Sequence, residues 1–283
     1  MSKGAILIAK NNGEIDYIKQ AVFLAKRIKY YLNIPTSVIT DCEDYLRAAH
    51  DFEVFDQIIP IDYAQEKNKR AYHDGTLFYK SANFRNNERN VAYDLSPYQE
   101  TLLLDTDYII NNDLLKSCFE STNDFMLFKS SEDVANVRDT TEFEHVSDYS
   151  IDFYWATVVF FRKTEINKIF FELVSHIKEN WKHYVRVYQI ESFLFRNDYA
   201  FSIAIHIMNG FQQGDFAQPL PGKHLYTTDR DLLWKLSEDE MTFLVEKKNY
   251  LGEYTALQTK GQSIHVMNKF SLERIIDREF ENE

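Results

Sequence analysis

Glycine is scarce in this chain, and its scarcity excludes the glycine-rich loops that commonly hold nucleotides. The 283 residues contain 8 glycines, well below the average of about 7%. Neither the G-x-G-x-x-G turn nor the G-x-x-x-x-G-K-[ST] phosphate loop is present in the sequence. A nucleotide bound by this chain would therefore have to be held by a metal ion and by side chains.

Cysteines and long apolar runs are also few. Cys42 and Cys118 are the only cysteines, so the chain has no disulfide framework and no cysteine-based zinc site. No stretch approaches the ~18 apolar residues of a membrane span. The apolar run near the N-terminus is too short for a signal peptide. These features favour a reducing cytoplasm and no membrane association.

Positive charge is in deficit, since the formal net charge is −12. This charge disfavours broad electrostatic binding to nucleic acid, which depends on Lys and Arg contacts to phosphates. Six basic residues between positions 67 and 89 could still form a local basic groove, although a solvated surface is the favoured interpretation. They are Lys67, Lys69, Arg70, Lys80, Arg85 and Arg89.

The apolar pattern predicts an α/β fold with a mostly parallel central sheet flanked by helices, in a single domain. Residues 5–9, 14–32 and 36–40 read as strand, helix and strand, which implies a right-handed crossover between parallel strands. Further strands are predicted at residues 58–61, 102–104, 125–128, 153–161, 241–245 and 263–267. Helices are predicted at residues 77–93, 166–177 and 199–208.

Two aspartates directly follow the predicted central strand. Leu102, Leu103 and Leu104 lead into Asp105 and Asp107, separated by one residue. Ligands of open α/β sheets bind at the carboxyl ends of strands. Charged side chains are rarely buried without a partner, so this pair indicates a place where the fold opens. Two carboxylates there suit a hard divalent cation with open positions for phosphate oxygens.

The order of these parts resembles nucleotide-sugar glycosyltransferases of the GT-A fold, in particular the D-x-D type of the glycogenin-like branch. The resemblance is carried by Lys80 on a predicted helix, by the segment 98–110 with its D-x-D, and by the segment 264–269. One departure is that Asn268-Lys269-Phe270 follows the late histidine, where the glycogenin-like motif has glycine and Lys-Pro-Trp. Segments 154–164 and 195–206 also resemble glycosyltransferase-like proteins of T4-like tailed phages.

The resemblance implies a GT-A-type single domain over residues 1–283. Residues 1–130 would form the nucleotide-binding half. Residues 131–283 would form the acceptor-side half and a C-terminal metal and phosphate segment. If the chain is encoded by a phage, its location would be the host cytoplasm.

The resemblance also implies roles for individual residues. Asp107 would be the main metal ligand, and Asp105 would share the metal and contact ribose or sugar hydroxyls. His265 would be the third ligand of a Mn²⁺ or Mg²⁺ ion. Lys269 would hold the diphosphate and Lys80 would lie near the phosphates or the donor sugar. The ends of the first two strands would hold base and ribose, at Ala9, Asn11 and Asp41.

Asp198 is the candidate for activating the acceptor hydroxyl, since a carboxylate in this part of inverting GT-A enzymes acts as the base. It lies at a predicted helix N-terminus, so an N-cap role is an equal alternative. Glu191 is the second candidate. If neither residue lies near the acceptor, a retaining mechanism is favoured.

These features lead to one hypothesis with two alternatives. The hypothesis is a metal-dependent hexosyl- or pentosyltransferase that moves a sugar from a nucleotide sugar to a hydroxyl acceptor, with a UDP-sugar as the favoured donor. The phage resemblance suggests a hydroxylated base in viral DNA, while glycan, protein and lipid acceptors stay open. The alternatives are a nucleotidyltransferase or sugar-nucleotide pyrophosphorylase, whose usual glycine-rich N-terminal signature is missing here, and a non-enzymatic virion or interaction protein that keeps the fold.

Overall fold

The fold was analysed in a computed structural model that describes residues 2–62, 68–136, 138, 143–148, 150–247 and 252–282. Its centre is a seven-stranded sheet in which four of the six neighbouring strand pairs are parallel and only β10 runs against its neighbours. In spatial order the strands are β11 (Gln218–Pro219), β8 (Phe125–Phe128), β10 (Trp155–Arg162), β6 (Glu100–Leu104), β1 (Lys3–Ile8), β2 (Thr36–Thr40) and β3 (Gln57–Pro60). The predicted mostly parallel sheet is confirmed.

The central strands are apolar on both faces because helices cover both sides of the sheet. Residues of β1, β6 and β8 are almost all buried, as expected for strands without a solvent face. The helices are α1 (Tyr17–Tyr31), α2 (Glu43–Ala49), α3 (Ala92–Leu95), α4 (Glu165–Glu179), α5 (Trp181–Val187), α6 (Asn197–Met208) and α7 (Lys269–Asn282). The predictions for α1, α4 and α6 are confirmed to within a few residues.

A second, four-stranded sheet lies against the end of β6. Its order is β7 (Tyr108–Ile109), β16 (Ile264–Val266), β12 (His224–Thr227) and β9 (Ser131–Asp133). β7 follows the D-x-D directly and pairs antiparallel with β16, which places His265 opposite Tyr108. This pairing joins the early and late parts of the chain at one point.

Two smaller sheets complete the fold. β13 (Leu232–Ser237), β14 (Glu240–Glu246) and β15 (Tyr254–Lys260) form an antiparallel meander that packs with α7 around a second, smaller apolar cluster. β4 (Lys69–His73) and β5 (Tyr79–Asn83) form a hairpin. No helix in the described ranges is both long and apolar enough to cross a membrane.

The helix predicted over residues 77–93 is wrong. Its first part is the strand β5, and its last part is a 3₁₀ turn at Arg89–Val91 followed by the short helix α3. Gly75 lies in the turn between β4 and β5 with φ +75, a conformation that glycine adopts without a Cβ penalty. Cross-strand pairing of residues 69–73 with 79–83 therefore prevails over the local helical periodicity.

Candidate active site

The two aspartates of the D-x-D lie in a tight turn between β6 and β7. The backbone N–H of Asp105 donates to the carbonyl of Thr157 on β10 at 2.9 Å, and the N–H of Tyr108 donates back to the carbonyl of Asp105 at 3.2 Å. These bonds fix the backbone on both sides of the pair. Asp107 is buried, with 3% of its surface exposed, while the Asp105 side chain is 35% exposed.

His265 is brought to Asp107 by the second sheet. The N–H of Val266 donates to the carbonyl of Asp107 at 2.9 Å, so β16 is anchored to the D-x-D turn itself. His265 Nε2 lies 3.3 Å from Asp107 Oδ2, and its Nδ1 lies 3.4 Å from the Thr157 hydroxyl. One ligand atom each from Asp105, Asp107 and His265 can be chosen so that all lie within 4.8 Å of one another. The three predicted metal ligands are thus brought together.

Lys269 begins α7 and points its amine at the same carboxylate. Lys269 Nζ donates to Asp107 Oδ2 at 2.5 Å. Burial alone would raise the pKa of Asp107, but the charges of Lys269 and His265 outweigh burial and hold that pKa well below its ordinary value. Burial would lower the pKa of Lys269, and the charge of Asp107 raises it above its usual range. The pair is therefore ionised at neutral pH.

Arg89, which sequence reasoning did not assign to the site, is the basic partner of Asp105. Its buried guanidinium pairs with Asp105 and donates to the carbonyl of Ala156 on β10. Burial nevertheless raises the pKa of Asp105, with Arg89 opposing and Asp107 adding to the rise. The glycogenin-like pattern has a Lys or Arg on a helix before the D-x-D, and Arg89 also precedes the D-x-D. Because a helix was predicted over residues 77–93, this role was assigned to Lys80 instead.

Lys80 itself lies away from Asp105, Asp107 and His265. It is exposed on β5 and forms an ion pair with Glu14 at 2.5 Å. Glu191 is also exposed, in the loop between α5 and α6, and lies outside the lining of the cavity described next. The assignment of Lys80 to the phosphates and of Glu191 to acceptor activation finds no support in these positions.

Asp105, Asp107 and His265 line a cavity of about 220 Å³. Strand β4, the D-x-D turn, the start of α6 and the end of β16 contribute to the wall of this cavity. Its polar lining comes from both halves of the chain and includes Arg70, Tyr72, Asn86, Arg89, Asp105, Asp107, Arg196, Asn197, Asp198, Asp229, His265 and Lys269. Arg70 and Arg89 therefore belong to a cavity wall, contrary to the solvated surface favoured for the basic stretch. Lys67, also of that stretch, lies outside the described residues.

Asp198 lines the cavity and its carboxylate does not cap its own helix. Oδ1 accepts the backbone N–H of Ala156 at 2.9 Å, and Oδ2 accepts from Arg196 at 3.1 Å. Burial would raise the pKa of Asp198, but the charge of Arg196 and the Ala156 N–H lower it. The N-cap of α6 is Arg196, without a side-chain hydrogen bond. The N-cap interpretation of Asp198 is thus wrong, and the carboxylate is fixed between α6 and β10.

The ends of β1 and β2 lie next to each other, as the resemblance implies. Ala9 is buried directly after β1. Arg85 joins the other two residues, since its Nη1 donates to the Asn11 carbonyl at 2.6 Å and its Nη2 lies 3.5 Å from Asp41 Oδ2. The Asn11 side chain accepts the N–H of Ile18 at 3.1 Å and donates to Asp16. Asn11 therefore also orders the start of α1.

An aromatic box lies behind His265. His224 is fully buried, and its ring lies 5.7 Å from that of His265, with Trp155 and Phe128 at 4.6 and 5.2 Å. Neither ring nitrogen of His224 has a hydrogen-bond partner. Burial, followed by the charge of His265, lowers the pKa of His224 well below its ordinary value. His224 is therefore a neutral packing residue.

Comparison with known proteins shows likeness in structure only. No family model and no curated protein matches the sequence. A structure of galactosyltransferase LgtC with donor and acceptor sugar analogs is 14% identical, with TM-score 0.44, over 76% of this chain and 72% of that chain. A structure of the active-site mutant Q189E of LgtC is 13% identical, with TM-score 0.46, over 76% of this chain and 72% of that chain. The glycosyltransferase GlyE of Streptococcus pneumoniae TIGR4 is 12% identical, with TM-score 0.38, over 78% of this chain and 45% of that chain. At these values the function has to be inferred from the side chains of the cavity.

Proposed function

We propose that this protein is a metal-dependent glycosyltransferase of the GT-A type that moves a sugar from a UDP-sugar to a hydroxyl group. The observation that carries the proposal is the grouping of Asp105, Asp107 and His265 within 4.8 Å, beside Lys269 and at the mouth of a cavity. Carboxylate oxygens with one imidazole nitrogen suit Mn²⁺, and with water also Mg²⁺. A bound ion would neutralise negative charge on the departing diphosphate.

The protein groups around the ligands have complementary tasks. Lys269 supplies a point charge next to Asp107, where it can contact a phosphate oxygen once the carboxylate turns to a cation. Arg89 holds Asp105 in place by a second bond to the backbone of β10. Positive groups fixed before the reaction stabilise charge that develops on the leaving group without a cost of reorganisation.

Asp198 is the acceptor-side residue of this proposal. Each of its oxygens accepts one hydrogen bond, which leaves lone pairs for an acceptor hydroxyl. Its lowered pKa keeps it ionised, the form required of a base, although this also reduces its basicity. The edge formed by Ala9, Asn11 and Asp41 would take the base and ribose of the donor. The acceptor hydroxyl would be on a modified DNA base, a glycan, a protein or a lipid.

Calorimetric titration of UDP, GDP and ADP, with and without Mn²⁺, tests the proposal. We expect UDP alone to bind, only with Mn²⁺, and we expect Asp107→Asn to abolish that binding while Asp113→Asn, an exposed control, keeps it. UDP-sugars are then tested for transfer to hydroxylated DNA, glycan and protein acceptors. If no nucleotide binds with or without Mn²⁺, the enzymatic proposal is wrong.

A further inference from the structure

Arg70 is a cation of the cavity wall that the proposed donor site does not use. It lies on β4, and its Nη2 donates to the carbonyl of Phe195 at 2.9 Å. Its guanidinium lies 3.5 Å from the centre of the Phe84 ring. A guanidinium carries five N–H donors, so one backbone acceptor leaves most of them available to the cavity that Arg70 lines.

The other cations of the cavity each have a carboxylate. Arg89 pairs with Asp105, Lys269 with Asp107, and Arg196 with Asp198. Arg70, in contrast, forms no ion pair with any residue that the structure describes. Burial lowers its pKa, and the positive charge of Arg196 lowers it further. Arg70 is partly buried, and withdrawing a charge from water without a paired carboxylate is costly, which favours a ligand that supplies the missing anion.

The position of Arg70 separates it from the proposed diphosphate site. Strand β4 crosses the cavity wall, with Arg70 and Tyr72 both lining the cavity. Arg70 bonds to the carbonyl of Phe195, which lies three residues before Asp198 in the chain, whereas Lys269 bonds to Asp107. Arg70 therefore lies on the side of the cavity that is formed by the start of α6, which carries Asp198.

We propose that Arg70, assisted by Arg196, forms an anion subsite beside Asp198 that binds a phosphate or carboxylate group carried by the acceptor. The inference rests on the proposed function, because it assigns the donor diphosphate to Lys269 and the metal ligands. A planar guanidinium fork matches both anions through paired hydrogen bonds. The acceptor would accordingly be an anionic molecule, although the protein as a whole is acidic.

The first part of the test separates this subsite from the donor site. UDP with Mn²⁺ is titrated into the wild type, Arg70→Gln and the matched control Lys69→Gln, which removes the same charge from the exposed neighbouring residue. We expect the three UDP affinities to agree within about twofold. A tenfold loss in Arg70→Gln alone would assign Arg70 to the donor diphosphate and overturn the inference. Failure of the wild type to bind UDP would contradict the proposed function instead.

The second part uses three probes on the protein saturated with UDP and Mn²⁺. Glucose 6-phosphate carries a phosphate, glucuronate carries a carboxylate, and glucose carries neither. We expect at least one anionic sugar to bind tenfold more tightly than glucose, and we expect Arg70→Gln, but not Lys69→Gln, to remove that difference. The preferred sugar identifies the anion. The inference is overturned if neither anionic sugar exceeds glucose, or if the preference persists in Arg70→Gln. Retained UDP binding shows that Arg70→Gln is folded.

Discussion

Two clusters of aspartates with basic partners can be compared among the residues that the structure describes, one closed and one open. In the closed cluster, Arg138 bridges Asp133 and Asp231 at 2.5 and 2.7 Å. The backbone N–H groups of Thr228 and Glu246 also donate to Asp231, at 2.9 and 3.1 Å. The Asp231 side chain is fully buried, and its oxygens are all used within the protein. This cluster ties β9, the end of β12 and β14 together.

The open cluster contains the same residue types in a different arrangement. Asp105 and Asp107 have separate cationic partners, Arg89 and Lys269, and both carboxylates face a cavity. Asp105 keeps 35% of its side chain exposed. A pair of neighbouring acids with basic partners is therefore not in itself a sign of function. What distinguishes the open cluster is that its ligand atoms face a common space that a cation and a substrate can enter.

The largest effect on stability is expected in the closed cluster. Asp231→Ala leaves the Arg138 charge with one carboxylate and two backbone donors without an acceptor. Removing one partner of a buried ion pair destabilises a protein by about 3–5 kcal/mol. We expect a loss of this size in urea denaturation, together with unchanged UDP affinity at temperatures where the variant is folded. A loss below about 1 kcal/mol would show that the cluster is not a structural clamp.

The open cluster should respond in the opposite way. Asp107→Asn removes the negative charge of the carboxylate that His265 and Lys269 both contact. We expect at least a hundredfold loss of Mn²⁺-dependent UDP affinity, about 2.7 kcal/mol. Its cost in stability should be smaller than that of Asp231→Ala, because water in the cavity can solvate the Lys269 amine. Titration calorimetry and urea denaturation of both variants test the comparison. A reversed order of the two effects would refute the distinction.

The aromatic box behind the open cluster predicts a dependence of stability on pH. Burial holds the pKa of His224 well below 6.5 in the folded protein. As pH falls below 6.5, His224 therefore becomes protonated in the unfolded chain but stays neutral in the folded protein. The contribution of His224 to the free energy of unfolding is fully present above pH 6.5, and below this pH it decreases by up to about 1.4 kcal/mol per pH unit. His224→Phe should flatten this decline, measured by urea denaturation between pH 7.5 and 5.5. An unchanged slope would assign the decline to other groups.

A smaller effect is expected at the partly exposed acid that begins α1. Asp16 caps this helix by accepting the N–H of Lys19 at 3.0 Å, and it also accepts from Tyr45 at 2.6 Å. Burial would raise its pKa, but hydrogen bonds from His50 and Tyr45 hold it well below 3.8. Asp16→Ala should cost ~1 kcal/mol at pH 7. The difference should shrink as pH falls below 3.8, since the unfolded chain then binds a proton at Asp16 that the folded protein binds only at lower pH. A difference independent of pH would contradict the charge-based cap.

The main sheet and the position of Asp105 and Asp107 at the end of β6 could be predicted because they depend on local patterns. The apolar run Leu102, Leu103 and Leu104, followed by turn residues, predicted a buried strand, and the order strand, helix, strand at the start of the chain predicted parallel pairing. The long-range pairing of β7 with β16 could not be derived from periodicity, and the resemblance supplied His265 instead. Arg89 was missed because the hairpin β4–β5 depends on cross-strand pairing across Gly75, which a local helical pattern conceals. The role of Arg138 was likewise hidden, since its two carboxylates are 98 positions apart in sequence.

Binding of Mn²⁺, followed by electron paramagnetic resonance, tests the central claim most directly. Free Mn²⁺ is measured while the ion is titrated into the protein with UDP, for the wild type, Asp107→Asn and the exposed control Asp113→Asn. We expect one ion bound per chain in the wild type and in Asp113→Asn, and loss of that ion in Asp107→Asn. Equal binding by Asp107→Asn, or no binding by the wild type, would show that Asp105, Asp107 and His265 do not form a metal site.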